Sequence, residues 1–116
     1  MDNGNNEVAA KGNKESFAFA EGVYALRFPL SFVMKPKLNL VYNKGNSKAK
    51  GEISIFGQKK KLKLVEHHDN QFVFVLQIDS IMIDLVIRFY KKDAFEGFVD
   101  TPIGHIFLSG RYLNGR

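Results

Sequence analysis

Side chains able to do chemistry are few in this 116-residue sequence, and they fall into three groups. His67-His68-Asp69 is one, with His105 as the only histidine elsewhere. A metal ion needs ligands that converge from several directions, and neighbours in one loop do not supply them, so no metal site is expected. Asp79 and Asp84, close to the Asp79-Ser80 reversal, form the second group. Paired carboxylates can divide acid and base work, but a polar turn and an outward strand position explain these two more simply. The third group is Lys59, Lys61 and Lys63, joined by Lys48 and Lys50. On one strand face they could hold phosphates, or they could simply solvate an edge and discourage foreign strand pairing. Base-stacking aromatics are scarce beside them, with only Phe56 and Tyr112 as candidates, so no specific nucleic-acid partner is expected. Cys is absent, and no Ser-His-Asp order, phosphate loop or dinucleotide motif occurs. Neither an enzyme nor a cofactor is expected.

The elements that must position these residues follow from period-2 alternation running from Val23 to Tyr112. It predicts an all-β fold, a single antiparallel meander barrel of about eight strands with short turns. The first strand is expected over Val23–Val33, with Tyr24, Leu26, Phe28, Leu30 and Phe32 inward and a bend or bulge at Pro29. Lys35-Pro36 then turns into Leu38, Leu40 and Tyr42. Lys44-Gly45-Asn46-Ser47 turns into Ala49–Phe56, with Ile53 and Ile55 inward. A tight turn at Gly57-Gln58 sets Lys59 opposite Phe56, Lys61 opposite Ser54 and Lys63 opposite Glu52, with Leu62 and Leu64 inward. Glu66–Asn70 reads as a loop. Phe72 to Ile78, Ile81 to Phe89, Phe95 to Thr101 and a last strand through Tyr112 complete the set. Residues 1–16 read as a flexible N-terminal segment, and 17–116 as the barrel domain, with one helical turn expected over Lys14–Ala20. The halves look related: Leu38, Leu40 and Tyr42 match Leu85, Ile87 and Phe89, and Gly51…Gly57 mirrors Gly97…Gly104.

Eight strands enclose an interior that side chains just fill, or that holds one small ligand. The inward set Leu26, Phe28, Leu40, Ile53, Phe74, Leu76, Ile83 and Leu85 is the candidate ligand-binding interior, and its composition fits a filled core as well as a cavity. Gly22-Val23-Tyr24 resembles the Gly-x-Trp of calycins, the lipocalin and fatty-acid-binding superfamily, and Arg111 in Ser109-Gly110-Arg111-Tyr112 stands where the family's closing arginine does. The tail from Glu96 to Arg111 is similar to uncharacterised bacterial calycin-like domains. The resemblance spans residues 21–112. It implies that Arg111 packs across Tyr24 as a structural closure of the barrel. The Arg-x-Tyr carboxylate site of fatty-acid-binding proteins is absent, because Arg111 and Tyr112 are adjacent and face opposite ways.

The net charge of +5 is divided: residues 35–63 hold nine Lys against Glu52, and residues 66–100 hold seven acids against Arg88, Lys91 and Lys92. Such a polarised surface suits self-association or an anionic partner at one end. The polar start Met1–Asn6 lacks the apolar core of a signal peptide. A cytoplasmic location is therefore expected, though a secreted form with its signal removed would read alike. The apolar stretch from Phe72 to Tyr90 carries Gln77, Asp79, Asp84 and Arg88, so no membrane span is expected. Together these features favour a non-catalytic module that binds a small apolar or amphipathic ligand. The alternative is a structural or protein-interaction domain with a filled core. Val73, Val75, Val86 and Phe98 on the outer face would serve a homodimer if they form one patch.

Overall fold

The computed structural model describes residues 17–29, 31–42, 45 and 48–115, with the Phe32 side chain also outside the description. The expected lead-in over residues 1–16, the inward Leu30 and most of the Lys44–Ser47 turn therefore lie outside the described residues. Among those described, eight strands follow one another: β1 (Gly22–Arg27), β2 (Lys37–Tyr42), β3 (Ala49–Ile55), β4 (Gln58–His68), β5 (Gln71–Ile78), β6 (Ile81–Lys91), β7 (Ala94–Thr101) and β8 (Gly104–Asn114). Each pairs antiparallel with its chain neighbours, and β8 returns to pair with β1, closing the barrel. Alternation produces this result because one face of every strand needs burial, and a sheet rolled shut buries all of them around one axis.

The first strand is shorter than the sequence suggests. It stops at Arg27, and after Phe28-Pro29 the chain makes one helical turn, α1 (Ser31–Met34). Pro29 has no N–H to continue a ladder. Instead, Ser31 N–H donates to Phe28 O at 2.9 Å and Lys35 N–H to Ser31 O at 2.8 Å. The hairpin between β3 and β4 turns at Phe56-Gly57, one residue before the expected site. Both residues have positive φ, 54° and 80°, the backbone whose twist matches that of the flanking strands. The register moves accordingly: Lys59 lies opposite Ser54 and Lys61 opposite Glu52.

Glu66–Asn70 is mostly strand. β4 runs to His68, and only Asp69-Asn70 turn, with Asp69 at φ 55°. A bulge between Leu64 and Glu66 leaves Val65 unpaired and 52% exposed. The extra residue lets Leu62, Leu64 and then His67 share the inner face.

One end of the barrel is plugged by aromatic rings. Phe19, Tyr24, Phe72, Phe89 and Phe95 are buried there. Phe19 stacks on Tyr42 with ring centroids 4.3 Å apart, and Phe89 lies 5.2 Å from Phe95. Residues 17–20 form no helical turn. Their backbone is bound across the barrel end instead, with Ala20 N–H donating to Lys92 O at 2.8 Å and Phe19 N–H to the Tyr42 hydroxyl at 3.0 Å. Tyr24 donates its hydroxyl to Ala20 O at 2.6 Å, with Lys92 O at 3.2 Å. Burial pushes its phenol well above the ordinary tyrosine value.

Candidate ligand-binding site

Burial falls from the plugged end to the opposite one along the interior columns of β5, β6 and β8, whereas in β2 Leu38 stays fully buried at the far end and in β4 Leu62 is more buried than His67 beside the plug. In β5 the exposures of Phe72, Phe74, Leu76 and Ile78 are 1, 0, 9 and 37%. In β6, Phe89, Ile87 and Leu85 are at most 3% exposed, Ile83 is half-buried and Ile81 is 47% exposed. In β8, Leu108 at 6% gives way to Ile106 at 39%. Register places these ends side by side: Ile78 opposite Ile81, Leu76 opposite Ile83, and Leu85 and Ile106 both opposite Val99. On β5, β6 and β8 the inner wall therefore ends in an arc of partly exposed aliphatic side chains at the unplugged end, the mouth of the barrel.

All eight residues expected in the interior belong to one apolar cluster, but they do not play one part. Leu26, Leu40, Ile53, Phe74, Leu76 and Leu85 are buried. Three of the core side chains meet at Gly51: Leu62 Cδ1, Phe74 Cε1 and Leu40 Cδ2 lie 3.2, 3.3 and 3.4 Å from where a Cβ would stand. Glycine there lets side chains from three strands fill the centre of the barrel. Phe28 and Ile83 are only partly buried against this core, and they mark where packing gives way to the mouth.

Sequence reasoning passed over Lys60. It lies directly opposite inward Ile53 and is exposed, so it takes an inward register position on β4, whereas Lys59 and Lys61 take outward ones. Counting by two back from Leu64 and Leu62 would have found it.

The expected closure pair does not form. Tyr24 is fully buried in the interior and lies opposite Tyr112, whose ring is 5.4 Å away. Arg111 lies opposite Ala25 and is exposed. Successive strand residues point to opposite faces, so an outward Arg111 cannot cover an inward Tyr24. Tyr112 and residues 17–20 close the barrel in its place.

The remaining reactive groups stay scattered. His67 stacks on Phe72 at 4.1 Å, and its Nε2–H donates to Asp69 O at 2.8 Å. His68 and Asp69 are an exposed pair at 3.6 Å. Asp79 occupies a turn at φ 55°, while Asp84 faces outward opposite Val75 and Asp100. His105 Nε2 stands 3.4 Å from Asp100 Oδ1. Among the described residues no group of His, Asp and Glu could hold a metal ion.

Fold and site together define a closed eight-stranded up-and-down barrel with aromatic rings filling one end and partly exposed isoleucines on three strands at the other. No protein-family model, curated protein or solved structure matches the chain. Among the described residues no helix is long and apolar enough to cross a membrane.

Proposed function

We propose that this protein is a non-catalytic binding module that takes a small apolar or amphipathic ligand at the open mouth of a calycin-like barrel. The observation that carries this reading is the burial gradient on β5, β6 and β8: their interior side chains are sealed beside the plug and left partly bare as Ile78, Ile81 and Ile106 at the other end. Bare aliphatic surface inside a concave wall is what a ligand's apolar part would cover, at roughly 25 cal/mol for each Å² removed from water.

An apolar fluorescent dye such as Nile red should bind saturably, one per chain, and be displaced by long-chain fatty acids. Ile106→Glu should weaken that binding by about tenfold or more, because the ligand must then desolvate a carboxylate. Absence of saturable binding, or equal binding by Ile106→Glu, overturns the reading.

The outer wall favours a second reading, a protein-interaction domain that dimerises. Register sets Val73, Val86, Phe98 and Phe107 in one unbroken row across β5 to β8, and Phe107 is 70% exposed. Native mass spectrometry should then record a dimer that Phe107→Asp converts to monomer.

A further inference from the structure

We infer that the outer wall over β8, β1 and β2 carries a binding cleft for a small ligand bearing phosphate groups. The cleft has a volume of about 390 Å³ and is lined by Arg27, Arg111, Lys35 and Lys37, with Ser31, Ser109 and Ala25 among them. Its floor follows from register. Ala25 lies between Arg111 on one side and Lys37 on the other, so a single methyl group separates two long cationic side chains and leaves a depression. Arg27 and Ser109 form the next row on the same face. Lys35 and Pro36 close the rim from the connection after α1, where Lys35 is held at φ 49°.

Four cations from separate points of the fold thus surround one hollow, and among the described residues no carboxylate lines it. Glu96, the nearest acid along the Arg27 row, is held one strand away by the intervening Ser109. Like charges gathered without a counter-charge repel one another, and a multiply charged anion relieves that repulsion. Arginine forks match phosphate oxygens two at a time, serine hydroxyls add neutral donors, and the volume lies in the range of small-molecule sites. The shared chemistry is the phosphate group, whether on a free ester or on a lipid head. The cleft's charged lining lies on the outer wall at the unplugged end, and Leu26, a core residue, also borders it.

Pyrophosphate titrated calorimetrically into the full chain should bind one per chain. Arg27→Gln with Arg111→Gln should weaken it by tenfold or more, and Lys35→Gln with Lys37→Gln should do likewise. Lys59→Gln with Lys61→Gln removes the same charge outside the cleft and should change affinity less than threefold. Vesicles of phosphatidylcholine with and without phosphatidic acid form the second arm. Cleft-dependent binding to phosphatidic acid alone identifies a lipid head as the source of the phosphate, and pyrophosphate binding identifies a free ester. The proposal falls if neither probe binds, if the hairpin lysines matter as much as the cleft residues, or if a single-stranded oligonucleotide binds more tightly than both with the same dependence on the cleft.

Discussion

Tyr24 couples the plugged end of the barrel to pH. Its hydroxyl serves two backbone carbonyls from within the core, and burial is the main cause that raises its ionisation above the ordinary value of 10.0. A proton held more tightly in the folded than in the unfolded chain contributes stability that is complete below the unfolded value and is lost as pH rises beyond it. Above pH 10.0 the unfolded chain gives up this proton before the folded one does, so the stability the phenol contributes declines as pH rises. Tyr42, also raised by burial, adds in the same direction. Tyr24→Phe should cost about 1–3 kcal/mol at neutral pH, since it leaves Ala20 O short of a donor, and should flatten the alkaline limb of a denaturant-midpoint profile. An unchanged alkaline limb would mean that the phenol is not shielded from solvent. Phe19 rests on the same cluster, and Phe19→Ala should cost about 3–5 kcal/mol in urea unfolding.

At the scale of elements, alternation made the strands legible, and their ends were the places where it misled. Period 2 runs unbroken through Phe28, Leu30 and Phe32, yet the chain leaves the sheet after Arg27, just ahead of Pro29, where a missing N–H cannot continue the ladder. The bulge at Val65 was hidden for a related reason. An inserted residue only shifts parity, and the polar His67 gave no sign that parity had shifted to bring it inward. The Phe56-Gly57 turn was missed because glycine fits either turn position, while an aromatic residue at φ 54° is uncommon. Phe56 is 67% exposed, and its N–H donates to Met34 O at 3.1 Å. The turn is thus tied to α1 rather than chosen by local preference. It follows that Phe56→Asn should raise the melting temperature by a few degrees, and Gly57→Ala, at φ 80°, should lower stability by about 1 kcal/mol. A neutral Gly57→Ala would indicate a different turn type.

At the scale of the molecule, the sequence made the barrel legible and left open how its interior is divided. Inward parity identifies which residues face the axis. It does not say how far along that axis they interlock, which depends on side chains meeting from strands remote in sequence, as Leu40, Leu62 and Phe74 do at Gly51. The residues matched between halves, Leu38, Leu40 and Tyr42 with Leu85, Ile87 and Phe89, all face the interior, as alternation alone requires. Leu38 and Leu40 on β2 and Leu85 and Ile87 on β6 are all buried core residues four strands apart. The site outside the wall was beyond sequence reasoning altogether, because Arg27, Lys37 and Arg111 become neighbours only when β8 returns to β1.

That return also governs how the chain reaches its fold. Seven of the eight strand contacts join consecutive segments across short connections, so they can form early and at small entropic cost. The eighth joins residues far apart, as in the hydrogen bond from the Tyr112 hydroxyl to Glu21 O at 3.1 Å, spanning 91 positions. Until it forms, the sheet is an open ribbon with two bare edges, β1 and β8, each able to pair with the same edge system of another chain. Closing the barrel is therefore a race between a slow intramolecular encounter and a bimolecular one whose rate rises with concentration. Chains released faster than they can close would exchange edge strands and assemble with one another.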